Sequence, residues 1–76
     1  MKYELDEATK THINETFTYH TPKEDQPQRY VEIREKAKEL AFLIAGNTPK
    51  STQQSQALTH LNLCVMSANS AIAINE

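Results

Sequence analysis

The stretch that decides the fold reads DQPQRYVEIREKAKELAFLIAGN at residues 25–47 and, after a short break, STQQSQALTHLNLCVMSANSAIAIN at residues 51–75. In both halves apolar side chains recur at spacings of three and four, which is the period of a helix with one apolar face. These side chains are Tyr30, Ile33, Ala37, Leu40, Ala41 and Ile44, then Leu58, Leu61, Val65, Ala68 and Ile72. We therefore predict two long helices that pack together along these stripes.

The break between the two halves has the sequence of a tight turn between helices. Gly46 and Asn47 can take the left-handed conformation that ends a helix, and Pro49 cannot continue one. Ser51 with Gln54 three residues later is a capping-box pattern, which starts a new helix. The predicted fold class is all-α, an antiparallel two-helix hairpin.

The N-terminal third of the chain is polar and predicts a short N-terminal helix or arm in front of the hairpin. Asp25 is a candidate N-cap for the first long helix, and Pro27 fits its first turn. With no repeat or linker in view, we predict a single helical hairpin domain over residues 1–76. Its parts are the arm at 1–24, the first long helix at 25–47 and the second at 51–75.

The small size of the chain and the surface of its last helix predict self-assembly. A chain of 76 residues buries only about 60% of its unfolded surface, so help from other subunits is expected. The second long helix is apolar on more than one face, and a hairpin cannot cover all of it. We predict a compact homo-oligomer with its interface at Leu63, Met66, Ser67, Ser70, Ala71 and Ile74. The alternative is that residues 1–24 fold over this face.

Composition excludes several classes of protein. Eight basic and ten acidic residues give a net charge of −2, whereas modules that bind duplex nucleic acid present a basic face. No continuous apolar run approaches the roughly 18 residues that span a bilayer, and the N-terminus lacks the apolar segment of a signal peptide. Cys64, flanked by apolar residues, is predicted to be a reduced core residue. We expect a soluble protein of the cytoplasm, without duplex nucleic acid or membrane partners.

The polar residue types that carry chemistry are scattered. His12, His20, His60 and Cys64 lack the paired spacing of metal ligands. A chain with one glycine has no phosphate-binding loop, and no serine or cysteine lies in a nucleophile motif. We predict no metal site, no cofactor and no catalytic activity.

The most informative non-helical stretch is FTYHTPK at residues 17–23, where ring side chains and a lysine lie beside a proline. Stacking of a base on an aromatic ring contributes about 1–3 kcal/mol and tolerates different bases. Tyr19 with a nearby cation is therefore a candidate holder of a nucleotide. The alternative is that Phe17 and Tyr19 pin this stretch to the hairpin.

Arg34 is the one cation of the first long helix without an acidic residue three or four positions away, the spacings at which helical side chains meet. It borders the apolar stripe, where a guanidinium at a subunit seam could bind a phosphate with two hydrogen bonds. An ion pair between subunits, or simple solvation, would produce the same pattern.

The order of short motifs along the chain is specific as a whole. FTYHTPK at 17–23 is followed by Gln26-Pro27, Arg29-Tyr30, Ile33-Arg34 and AKELA at 37–41. After the turn come Ser55, Ala57-Leu58-Thr59, Val65-Met66, Ala68-Asn69, AIA at 71–73 and Asn75-Glu76. Over residues 17–76 this order resembles the phage anti-CBASS family of cyclic-nucleotide sponges, whose helical hairpin is shared with an anti-Thoeris sponge family.

The resemblance implies a function and a site. Members of that family are homohexamers that sequester cyclic dinucleotides such as cyclic GMP-AMP, and in some cases cyclic trinucleotides, so that the CBASS effector of the host cell is not activated. Carried over by position, Tyr19 would stack on a base and Arg34 would contact phosphate, with His20 and Lys23 as secondary candidates.

The chain departs from the family pattern at two positions. Ser67 stands where the family often has tryptophan, and Ile74 where it often has arginine. If that arginine serves a trinucleotide pocket, only Asn75 is left as a substitute, so cyclic dinucleotides are the expected ligand.

Two other functions remain open at this level. One is a helical adaptor that binds a host protein through the apolar face of its last helix, which predicts no affinity for nucleotides. The other is an enzyme that degrades the same messengers, which would need a general base, a nucleophile or a metal in one pocket.

Overall fold

The structure, a computed structural model, describes residues 2–76 and consists of three helices joined by short segments. They are α1 (Glu7–Thr16), α2 (Gln26–Asn47) and α3 (Thr52–Asn75), and no strand occurs within 2–76. α2 and α3 pack against each other, and α1 contacts α3. The prediction of an all-helical hairpin is confirmed. Met1, the first residue of the predicted domain, lies outside the described part of the chain.

The turn between α2 and α3 is closed by side chains. Asn47 Nδ2 donates to the Leu43 carbonyl at 2.8 Å, and Thr48 Oγ1 donates to the Ile44 carbonyl at 2.7 Å. These bonds satisfy carbonyls that the end of a helix leaves without a partner. The predicted left-handed ending at Gly46 and Asn47 is wrong, because both residues remain helical and neither has a positive φ.

The start of α3 uses half of the predicted capping box. Ser51 Oγ accepts a hydrogen bond from the Gln54 amide at 3.1 Å, as an N-cap residue does. The Gln54 side chain does not return to Ser51. It donates instead to the carbonyls of Thr48 at 3.0 Å and Ala45 at 3.3 Å, and so ties the start of α3 to the end of α2.

The start of α2 differs from the sequence-based expectation. Asp25 occupies the N-cap position, but its side chain makes no capping hydrogen bond. One of its carboxylate oxygens lies 3.2 Å from Arg29 Nη2, one turn further along α2. Asp25 therefore acts through charge on an arginine, and the prediction that it caps the helix with its side chain is wrong.

The isolated chain is thin, and residues 2–76 form no closed core. Its Cα radius of gyration is 16.6 Å, against about 11 Å expected for a compact chain of this length. Its accessible surface is 6473 Å², where a folded monomer of this mass exposes about 4,700 Å². Within residues 2–76 no apolar side chain is buried. Cys64 is exposed, so its prediction as a core residue is wrong for the single chain, because it lies off the stripe that faces α2.

α3 is long and apolar enough to cross a membrane. The sequence-based expectation differed because α3 contains no unbroken apolar run of that length. One such helix is weak evidence for a membrane span, since the core helix of a soluble protein passes the same test. α3 also carries His60, Asn62 and Asn69 within its apolar half. Polar side chains are costly in a bilayer, whereas an interface between protein chains can satisfy their hydrogen bonds.

Candidate functional site

The segment that joins α1 to α2, residues 17–25, presents two aromatic rings to solvent. Phe17 and Tyr19 are each 82% exposed. The alternative that these rings pin the segment to the hairpin is therefore wrong, because a ring used for pinning would be covered. Tyr19 is instead available as a flat apolar surface with a hydroxyl at its tip, which suits stacking on a base.

Side chains of the same segment hold it against the end of α1. The Thr18 hydroxyl donates to the Asn14 carbonyl. His20 is half-buried, and its Nε2 lies 2.9 Å from the Glu15 carbonyl oxygen, a distance at which the ring nitrogen can donate. His20 therefore has a structural role here, and Tyr19 lies between two residues that are tied to α1.

Arg34 lies on the rim of a shallow groove of about 530 Å³ along the seam between α2 and α3. The rim also carries Lys38 and Asn62, and the floor is apolar, formed by Ala37, Ala41, Leu58, Leu61 and Val65. Neither Arg34 nor Lys38 makes an ion pair within the described residues. In the sequence, Lys38 has Glu35 three positions earlier and Arg34 has no acid at such a spacing, but the spacing of four residues between the two cations already places both on one side of α2.

The groove does not include Tyr19, so a single chain does not bring the two predicted ligand residues into one cavity over residues 2–76. The other secondary candidate, Lys23, is exposed. Its backbone N–H donates to Gln26 Oε1 at 3.0 Å.

A polar cluster joins the start of α2 to the end of α3. Arg29 Nη1 donates to Glu76 Oε2 at 2.8 Å, and its Nη2 donates to Glu76 Oε1, so the guanidinium binds the carboxylate with two hydrogen bonds. Hydrogen bonds from Arg29, then from Gln26, lower the pKa of Glu76 to about 2, and the hydrogen bond to Glu76 raises the pKa of Arg29. In the sequence, the acids three and four positions from Arg29 are Glu32 and Asp25, and helical spacing gives no indication of Glu76.

The pattern of helices and the motifs along them agree with a comparison to known families. The family model described as Acb2/Tad1, hairpin domain, matches residues 9–73. The chain belongs to this family. The resemblance predicted from the motif order is thereby confirmed, since the family is the one shared by anti-CBASS and anti-Thoeris sponge proteins. Comparison with curated proteins and with solved structures gave no match.

The matched region of this Acb2/Tad1 hairpin covers most of α1, all of α2 and all but the last two residues of α3. Tyr19 and Arg34 lie inside it. Asn75 lies beyond it, and its Nδ2 donates to the Ala71 carbonyl at 2.9 Å. One N–H of the Asn75 amide is thus used within α3, which leaves its second N–H and its carbonyl oxygen for other partners.

The six predicted interface residues of the hairpin differ in exposure. Leu63 is 50% exposed and Met66 is 58% exposed, and Ser67 and Ala71 are also open to solvent. Ser70 and Ile74, near the end of α3, are half-buried. α1 is the element other than α2 that contacts α3. The middle of α3 therefore retains an uncovered apolar surface, while its last turns are partly covered.

Among the described residues, no group of three or more His, Cys, Asp or Glu side chains is close enough to hold a metal ion.

Proposed function

We propose that this protein is a phage anti-defence sponge that binds cyclic dinucleotides such as cyclic GMP-AMP and sequesters them without cleavage. Membership of the Acb2/Tad1 hairpin family supports the general role. The choice of a cyclic dinucleotide as ligand rests on the exposed ring of Tyr19 on a tethered segment. It rests also on Arg34, which has no acidic partner within residues 2–76. A ring recognises a base, and a guanidinium recognises the phosphodiester.

The ligand site is proposed to form between subunits. Tyr19 is not among the residues that line the groove beside Arg34 in a single chain, so Tyr19 from one protomer would meet Arg34 from its partner. A cyclic dinucleotide has nearly twofold symmetry, and a twofold interface offers each residue twice. The exposed surface supports assembly as well, because the chain exposes about 1,800 Å² more than a folded monomer of its mass. A standard interface covers about 800 Å² per partner, so more than one contact per chain is expected, consistent with the proposed hexamer.

Among cyclic oligonucleotides, dinucleotides are the preferred ligands in this proposal. Ile74 cannot bind a phosphate, and the Asn75 amide is uncharged and already donates one of its two N–H groups to the Ala71 carbonyl. A separate trinucleotide pocket at the end of α3 would therefore lack a cation. Capture of the signal would take place in the host cell cytoplasm and would require only tight binding and enough copies of the protein.

Calorimetric titration with cyclic GMP-AMP tests the proposal, with the mass of the assembly followed by light scattering. Tyr19→Ala should lose about 1–3 kcal/mol of stacking, a 5- to 150-fold loss of affinity. Arg34→Ala should lose a similar amount because a hydrogen bond to a charged group contributes about 1.5–3 kcal/mol. Both variants should keep the wild-type mass. Wild-type affinity in both would contradict the site assignment.

Two matched controls make the result specific. Phe17→Ala removes a ring of the same exposure from the same segment. Lys36→Ala removes a cation of α2 that lies 3.5 Å from a Glu39 carboxylate oxygen. Neither control should change the affinity by more than a factor of two.

The exposed Leu63 and Met66 also fit the adaptor function, in which a host protein covers them. An adaptor should bind no cyclic dinucleotide, so the same titration separates the two. Intact nucleotide recovered after denaturation would support a sponge, and linear products would identify a hydrolase.

A further inference from the structure

We infer that Gln26 and Glu76 are positioning residues that anchor the Tyr19-bearing segment to the end of α3 and thereby hold Tyr19 ready to capture its ligand. The inference rests on the proposed function for the identity of that ligand. The anchor itself is a property of the chain alone and can be measured without any nucleotide.

The first observation is the burial of Gln26. It is 4% exposed and is the one side chain within residues 2–76 that is buried, although it is polar and stands in a chain without an apolar core. Burial of an amide costs free energy unless its hydrogen bonds are made. Both ends of this amide are bonded, so Gln26 is held in one orientation.

The second observation is what the two ends of the amide join. Its Oε1 accepts from the Lys23 N–H at 3.0 Å, and its Nε2 donates to Glu76 Oε1 at 3.4 Å. The Gln26 N–H in turn donates to the Lys23 carbonyl at 2.8 Å. One side chain thus fixes the last turn of the segment and connects it to a residue that is remote in sequence.

The third observation is that Glu76 is itself fixed. The guanidinium of Arg29 binds both of its carboxylate oxygens, and a carboxylate oxygen of Asp25 lies 3.2 Å from Nη2 of the same guanidinium. A carboxylate bound in this way keeps one position relative to α2. The end of α3 is therefore fixed relative to α2, and hydrogen bonds connect it to Gln26 and, through Gln26, to Lys23.

The fourth observation is the position of Tyr19 between two tethers. Thr18 and His20 bind carbonyls of α1, and Lys23 binds Gln26. The Tyr19 ring itself is 82% exposed, so little packing holds it. Its position therefore depends on the tethers, and an ordered ring costs less entropy on binding than a mobile one.

The test combines amide hydrogen exchange, measured by NMR without ligand, with calorimetric titration against cyclic GMP-AMP. Gln26→Met keeps the size and burial of the side chain but removes both hydrogen bonds. It should accelerate exchange of the Lys23 amide at least tenfold and weaken ligand binding about tenfold. Exchange at Ala37, in the middle of α2, should not change.

A charge exchange tests the contact between Gln26 and Glu76 directly. Gln26→Glu alone places two carboxylates side by side and should loosen the anchor. Addition of Glu76→Gln restores an amide and a carboxylate in contact but removes the carboxylate that Arg29 binds, and should therefore recover part of the slow exchange at Lys23 and part of the affinity. Glu39→Gln, which breaks a separate ion pair of α2, is the control and should change neither quantity.

The outcomes are distinct. Faster exchange together with weaker binding in Gln26→Met, and partial recovery of both in the double variant, support the inference. Unchanged exchange in Gln26→Met, or faster exchange with wild-type affinity, would overturn it. If the wild-type protein binds no cyclic dinucleotide, the proposed function fails, and the exchange of Lys23 still decides whether the anchor exists.

Discussion

Substitution of Leu63 by aspartate separates an assembled α3 surface from a solvated one. Leu63 lies in the uncovered middle of α3, and half of its side chain is open to solvent in the single chain. If a second protomer covers this surface, Leu63→Asp places a carboxylate in an apolar contact. If water covers it, the carboxylate is as well solvated as any other surface acid.

The structure gives a magnitude for both cases. Full burial of a leucine is favourable by about 1.5–3 kcal/mol, so covering the exposed half contributes about 1 kcal/mol per subunit. A carboxylate buried without a partner costs several kcal/mol more. We therefore expect at least about 3 kcal/mol per subunit, more than a hundredfold in association. A solvated position would change stability by less than about 0.5 kcal/mol.

The assay is light scattering over a concentration series, with thermal unfolding at the same concentrations. Wild-type protein should give a multi-subunit mass and a Tm that rises with concentration, because assembly stabilises only the folded chain. Leu63→Asp should give a lower mass and a lower Tm at every concentration. Val31→Asp is the control, since Val31 on α2 is 52% exposed and lies outside the predicted interface. Wild-type mass and Tm in Leu63→Asp would refute this interface.

Three further predictions concern single residues. Ser51→Ala should lower the free energy of unfolding by about 1 kcal/mol because the Gln54 amide loses its cap. Ser55→Ala is the control and should not lower it. An equal loss of unfolding free energy in both variants, measured by denaturant titration, would contradict the cap. Glu24 has a φ of 49°, so Glu24→Gly should raise the free energy of unfolding by about 0.5–1 kcal/mol through relief of left-handed strain, and destabilisation would contradict this. The pKa of Glu76 is lowered to about 2, so its contribution is present above the ordinary carboxyl pKa and is lost as the pH falls through about 2. NMR of the Glu76 carboxyl should show that low midpoint, and an ordinary one would contradict the contact with Arg29.

The helices could be predicted because their signals are local. Stripes at spacings of three and four, the proline after α2 and the serine before α3 depend only on neighbours within one or two turns. The closing of α2 was predicted by the wrong mechanism, because a glycine near a helix end indicates a left-handed ending only on average. Here the side chains of Asn47 and Thr48 donate hydrogen bonds to carbonyls near the end of α2, and no left-handed residue is needed.

The candidate site was predicted less completely, because its parts are remote in sequence. Tyr19 and Arg34 were predicted as site residues from residue type, from the lack of a local acid and from resemblance to a family. Lys38 and Asn62 share the groove with Arg34 only once α2 and α3 are packed. Counting charges within one helix could not reveal that the main partner of Arg29 is Glu76.

The sequence by itself determined the number of long helices, their antiparallel pairing and the family, because periodicity and motif order are properties of neighbouring residues. Only the tertiary structure decided that the aromatic rings of the N-terminal segment face solvent, that Gln26 is buried between Lys23 and Glu76, and that no apolar side chain of residues 2–76 is buried in the single chain. The physical reason is that burial and long-range hydrogen bonds depend on which surfaces meet, and these surfaces belong to residues far apart along the chain.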